Sequence, residues 1–226
     1  MCGIIGYIGN NAAMPILLEG LKRLEYRGYD SAGVAILENG HLTVEKTKGK
    51  ISQLEGLVGL RKWKGTVGMA HTRWATHGEP NTENAHPVTD CTGDIAVVHN
   101  GIIENYSALK QRLIKEGHLF TTQTDTEVIA HLVEKFFKTT GVLEEAVRLT
   151  VSQLEGTYGL VIISKKEPDK LIGVRNGSPL IIGVASDENF LASDVSAILK
   201  HTQKVIYLDD HEMVTVSRDG FVTKTI

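Results

Sequence analysis

The order of the secondary-structure signals constrains this chain most: helices follow one another in pairs, and the second half is almost entirely strand-like. Residues 103–116 read as a helix closing at Gly117, and 125–137 and 142–154 as two more in succession. After Gly156, short apolar runs at 158–164, 170–175, 180–184, 189–192, 204–208, 212–217 and 221–225 alternate with turn residues, and Asp194 suits the start of a short helix through Leu199. Upstream, 3–8, 66–71 and 94–99 are strand-like. Residues 12–24 place Ile16, Leu17, Leu21 and Leu24 on one helical face, with Pro15 tolerated in the first turn. Val34–Leu37 and Leu42–Lys46 flank Asn39-Gly40, a hairpin signal. Helices and strands that do not alternate argue against a doubly wound parallel sheet. They predict antiparallel sheets covered by helix layers, an α+β arrangement. No repeat or linker-like stretch interrupts the 226 residues, so one domain over 1–226 is expected.

Composition narrows the function classes. With 24 Lys+Arg against 27 Asp+Glu, nothing predicts a polyanionic partner, and nucleic acid is not expected. No apolar run approaches the ~18 residues of a membrane span, and the apolar N-terminus lacks the basic start of a secretory signal. Two cysteines, at positions 2 and 91, cannot build a disulfide framework, which points to a reducing, cytoplasmic setting.

Position, rather than composition, suggests chemistry. If Met1 is removed, Cys2 carries its thiol beside a free α-amine of pKa ~7.7–8, able to act as base for its own side chain; a small buried residue at a strand start is the plainer alternative. Cys91, in an acidic turn, reads as incidental. The segment from Ala70 to Pro80 runs from a strand into a loop dense in donors. There Arg73 offers a planar fork for a carboxylate or phosphate, with His71, Trp74, Thr76 and His77 around it. His71, His77, His86 and His99 fit no metal-ligand spacing, so no metal is expected.

Asn100-Gly101 ends a buried strand, where a side-chain amide beside a glycine N–H makes two neutral donors, as an oxyanion hole requires. The same dipeptide is also a common turn. Asp125, opening a helix, could be an N-cap or the partner of a substrate ammonium. Together, a thiol nucleophile, an oxyanion hole, a carboxylate fork and an ammonium partner suit hydrolysis of a glutamine or asparagine side-chain amide.

The ordered segments Met1-Cys2-Gly3-Ile4-Ile5-Gly6, Glu25-Tyr26-Arg27-Gly28-Tyr29-Asp30-Ser31-Ala32-Gly33, His71–Pro80, His99-Asn100-Gly101 and Thr124-Asp125-Thr126-Glu127 resemble the glutaminase domain of the class II (N-terminal nucleophile) glutamine amidotransferases, and Gly177-Ser178-Pro179-Leu180 extends the likeness. The resemblance implies a four-layer α/β/β/α sandwich. It implies Cys2 as nucleophile, Asn100 and Gly101 as oxyanion donors, and Arg73 with Thr76 and His77 on the glutamine α-carboxylate. It further implies Asp125 on the α-ammonium, Trp74 in a loop closing over glutamine, and Arg27 as a structuring residue. Tyr26–Asp30 and Thr72–Gly78 favour the amino-sugar branch of the family. A phosphoribosylpyrophosphate-type glutaminase, or a glutamine-binding module that no longer reacts, are the alternatives. No cofactor is expected. The partners implied are glutamine and a sugar-phosphate isomerase region not present in this chain, through which oligomers would form.

Overall fold

β1, Gly3–Gly9, shows why the apolar runs are continuous rather than alternating. All seven of its residues are buried. Ile4 and Ile8 face one core while Ile5 and Tyr7 face another, because successive side chains leave a strand on opposite faces. A strand covered on both sides needs two apolar faces.

The computed structural model describes residues 2–74 and 78–226. After β1 come α1 (Ala13–Leu24), β2 (Ser31–Glu38), β3 (His41–Lys48), α2 (Ile51–Val58), β4 (Val67–Arg73), β5 (Val88–Thr89) and β6 (Ile95–Ile103). Three helices follow, α3 (Tyr106–Lys115), α4 (Glu127–Thr140) and α5 (Leu143–Val151). The strands β7 (Gly156–Ser164), β8 (Leu171–Asn176), β9 (Ile181–Val184), β10 (Glu188–Ala192), β11 (Val205–Tyr207), β12 (Glu212–Val216) and β13 (Phe221–Thr225) complete the chain.

The strands form two sheets, a seven-stranded one in the order β11-β9-β10-β1-β4-β2-β3 and a six-stranded one in the order β13-β12-β8-β7-β6-β5. Among the described residues, every pairing between these strands is antiparallel. Ile4, Ile8 and Met69 of the first sheet meet Val98, Val161 and Ile163 of the second in a shared core. Leu17 and Leu21 of α1 and Leu54 of α2 cover the outer face of the first sheet. Val128, Leu132 and Val133 of α4, with Ala146 and Val147 of α5, cover that of the second. The architecture is therefore the α/β/β/α sandwich that the family resemblance implies, with the antiparallel sheets under helix layers expected from the order of elements. Among the described residues, no helix is long and apolar enough to cross a membrane.

Three local expectations need correction, and one helix has no counterpart among them. α2 rests on only Ile51, Leu54 and Val58 among its eight residues, too short a pattern to separate from a loop in sequence. β6 does not end at Asn100-Gly101 but runs on to Ile103, because β7 pairs Asn100 with Gly159 and Gly101 with Tyr158. Neither Asp125 nor Thr126 caps α4 through its side chain. The helix from Asp194 is one 3-10 turn, Val195–Ala197, with the Asp194 carboxylate accepting from the Ser196 N–H as expected of a cap.

Candidate active site

Sheet register brings the first pieces together. β1 pairs with β4 so that Gly3 faces Thr72, which sets Cys2 at the same sheet end as Arg73 and Trp74. Antiparallel β2 lies on the other side of β4, pairing Ser31 with Arg73. In the facing sheet, β6 carries Asn100 and Gly101 to the same end of the sandwich.

There a cavity of about 340 Å³ opens, lined by Cys2, Arg73, Asn100, Gly101 and Asp125, with Trp74 and Arg27 at its wall. Seven of the nine residues singled out from the sequence thus converge. The other two, Thr76 and His77, lie outside the described residues.

Cys2 is half-buried, and the Trp74 N–H donates to its Sγ at 3.2 Å. Burial pushes the thiol pKa up, opposed by that N–H and by the positive charge of Arg73. A thiol held protonated in this way needs a base before it can attack. Asn100 is oriented from both ends. His71 Nε2 lies 2.9 Å from its Oδ1, and its Nδ2 donates to the Cys2 carbonyl at 3.3 Å. Since Oδ1 can only accept, the pair fixes His71 as the Nε2–H tautomer. Burial pushes the His71 pKa down to about 3, so the ring is neutral and supplies an orienting donor without a charge.

Gly101 has φ of +129°, and a Cβ there would lie 2.0 Å from the Thr157 carbonyl oxygen, so only glycine fits. Arg73 is 3% exposed, yet the carboxylates of Asp30 and Asp125 act on it, and the site holds opposite charges within one cavity. Asp125, also buried, accepts from the Ile103 N–H at 2.8 Å. The residue is thereby locked to β6 rather than to its own helix. Arg27 Nη1 pairs with Asp194 at 3.0 Å, and the Tyr26 hydroxyl donates to the same carboxylate oxygen. The Glu25–Arg27 turn is tied in this way to the chain after β10.

The Trp74 indole rests on Gly28. With φ of +100° and an imagined Cβ only 2.5 Å from Trp74 Cε3, this glycine makes the seat. The tryptophan is otherwise 55% exposed at the cavity mouth.

Sequence reasoning missed Thr126, Thr157 and Ile102 as lining residues, and it gave His99 no role beyond the metal question. His99 Nδ1 lies 2.9 Å from Thr126 Oγ1, joining β6 to the start of α4. The only early signal for Thr126 was its place beside Asp125. Thr157 had none, because β7 reaches the cavity only through long-range pairing.

A family model described as a glutamine amidotransferase domain matches residues 71–200. Over 97% of the chain, it is 56% identical to the glutamine–fructose-6-phosphate aminotransferase of Aquifex aeolicus. It is 54% identical to the enzyme of the same name from Chlorobaculum tepidum. The chain spans 37% and 38% of the length of those two relatives. Among solved structures, the glutamine phosphoribosylpyrophosphate amidotransferase of B. subtilis superposes with a TM-score of 0.83 at 30% identity, over 99% of this chain and 49% of that one. The family match covers more than half of the sequence, and the structural likeness takes in both sheets. The chain belongs to the glutamine amidotransferase family, with the class II, N-terminal nucleophile fold.

Proposed function

We propose that this chain hydrolyses the side-chain amide of glutamine through Cys2 and is the glutaminase part of a glutamine–fructose-6-phosphate aminotransferase. The observation that carries the first half is the convergence of Cys2, the His71-anchored Asn100 amide and oppositely charged Arg73 and Asp125 on one cavity. The second half rests on identities of 54% and 56% to enzymes of that name.

Glutamine enters with its α-carboxylate on Arg73, assisted by Thr76 and His77, and its α-ammonium on Asp125. Charge-assisted contacts at both ends of the amino acid fix where its amide carbon sits. With Met1 removed, the Cys2 α-amine takes the thiol proton, and the sulfur forms a bond to the amide carbon. The carbonyl electron pair moves onto oxygen, which meets Asn100 Nδ2 and the Gly101 N–H. Collapse of this intermediate breaks the C–N bond as the protonated amine returns its proton to the leaving nitrogen. Ammonia and a glutamyl thioester result. Water, deprotonated by the same amine, cleaves the thioester to glutamate and restores the thiol. The Trp74 indole closes the mouth during these steps, and Arg27 holds the wall through Asp194. The ammonia passes to a sugar-phosphate isomerase domain outside the chain, for glucosamine 6-phosphate synthesis from fructose 6-phosphate.

The test is direct measurement of glutamate and ammonia released from glutamine by the purified chain after removal of Met1. Equimolar release is expected. Glutamine binding without either product defeats the catalytic reading and leaves a binding module.

A further inference from the structure

Apart from the residues that line the cavity, the fold gathers four side chains from three separate segments. Cys91 lies in the turn between β5 and β6, His118 just beyond α3, and His131 and Glu134 three residues apart on one face of α4. Cys91 Sγ is 3.7 Å from His118 Nδ1 and 3.4 Å from His131 Nδ1. Glu134 Oε2 is 3.1 Å from His118 Nδ1 and 3.6 Å from His131 Nδ1. All four ligand atoms lie within 4.8 Å of one another. Bonds of ~2.0–2.3 Å to a tetrahedral metal put neighbouring ligand atoms about 3.3–3.8 Å apart, and three of these four separations fall inside that range.

We propose that Cys91, His118, His131 and Glu134 bind Zn²⁺ in a tetrahedral site that ties the β5–β6 turn and the end of α3 to α4. In sequence Cys91 reads as incidental and no metal is expected; the geometry points the other way.

Ligand type selects the ion. One thiolate, two imidazoles and one carboxylate suit a borderline-soft divalent metal, whereas Mg²⁺ and Ca²⁺ require mainly oxygen. The surrounding shell fits too. His131 Nε2 faces Glu127 Oε1 at 3.6 Å, the carboxylate–histidine pairing that leaves Nδ1 for a metal. The Leu119 N–H donates to Cys91 Sγ at 3.4 Å. Lys138 Nζ takes the other carboxylate oxygen, Glu134 Oε1, at 2.6 Å, which turns Oε2 inward. Phe120 packs on the His131 ring with centroids 4.4 Å apart, walling one side, while Cys91 is exposed and gives the ion an entry path. Without an ion, two imidazole nitrogens compete for one carboxylate oxygen beside a thiol. A central cation satisfies all four atoms together.

The site stands apart from glutamine hydrolysis and is tested without it. Protein carrying Cys2→Ser, so that Cys91 is the only thiol, is stripped with a chelator and titrated with Co²⁺ and then Zn²⁺. One equivalent of Co²⁺ should bind, giving the visible bands of a tetrahedral ion and a thiolate charge-transfer band. Zn²⁺ should abolish both and raise the melting temperature. Adding Cys91→Ser or His118→Gln, with circular dichroism used to verify folding, should weaken binding at least about tenfold, a loss that even outer-shell changes can reach. Cys91→Ser should also remove the charge-transfer band. The proposal fails if the folded protein binds no Co²⁺ saturably, if the bound ion is octahedral without a thiolate band, or if both ligand variants bind undiminished.

Discussion

His71 Nε2 lies 2.9 Å from Asn100 Oδ1, and this contact turns the Asn100 amide so that its Nδ2 faces Cys2. The anchor is fully buried and neutral, and its strand β4 also carries Arg73. One strand thus orients the proposed oxyanion donor and supplies the proposed carboxylate ligand.

Asn100→Ala should lower kcat for glutamine hydrolysis by about 10²–10³-fold, the loss of about 2.7–4 kcal/mol seen when an oxyanion donor is removed. KM should move little, because the proposed donor would act on the intermediate rather than on bound glutamine. His71→Phe leaves the amide in place but unanchored, and should cost about 0.5–1.5 kcal/mol, up to roughly tenfold in kcat. The two effects should not add in the double variant, because both act through one amide. Steady-state kinetics on the three variants test this.

Asp125→Asn separates charge from scaffold. An asparagine oxygen can still accept from the Ile103 N–H that Asp125 holds at 2.8 Å, so the fold should persist. Losing the carboxylate should remove the proposed charge-assisted contact to the glutamine ammonium, worth about 1.5–3 kcal/mol, roughly 10- to 100-fold in KM for glutamine. An unchanged KM places the ammonium elsewhere.

Gly28→Ala forces a methyl group to within 2.5 Å of Trp74 Cε3 at a backbone φ of +100°. The strain of a non-glycine residue there is of order 1–3 kcal/mol, and the indole must move. Tryptophan fluorescence should shift and kcat/KM for glutamine should fall. A native spectrum with full activity removes Trp74 from the closing loop.

Acid stability follows from two buried imidazoles. Burial pushes His71 down to about 3 and His86 well below its ordinary value. From pH ~6.5 down towards 3, the unfolded chain therefore binds protons that the folded chain does not. Stability rises with pH wherever the unfolded state binds more protons, so this contribution is complete above pH ~6.5 and is lost as pH falls. At pH 5 the His71 part amounts to about 2 kcal/mol, at about 1.4 kcal/mol per unit. Urea denaturation between pH 7 and 5 should show a smaller loss in His71→Gln than in the parent chain; equal losses contradict the buried neutral ring.

The features legible in the sequence are those set by local pattern. The Asn39-Gly40 turn appears with φ of +53° and +76° between β2 and β3, and α1 buries Ile16, Leu17, Leu21 and Leu24 on one face as the spacing predicts. What sequence reasoning missed was set by distant partners. Asn-Gly reads as a turn, yet β7 holds it in a strand by pairing 59 residues away at Gly159. Asp125 reads as a cap, yet it serves the backbone of Ile103. His71, conspicuous only as one histidine among several, anchors Asn100. The cluster at Cys91 is invisible to spacing rules because its ligands come from a turn, a helix end and a helix face.

Every step of the proposed chemistry depends on attack of the Cys2 sulfur on glutamine. Cys2→Ala tests it most directly, with glutamate release measured alongside circular dichroism and thermal melting. A native fold, glutamine-dependent thermal stabilisation through Arg73 and Asp125, and no glutamate above the uncatalysed background are expected. Sustained glutaminase activity in that folded variant would contradict it.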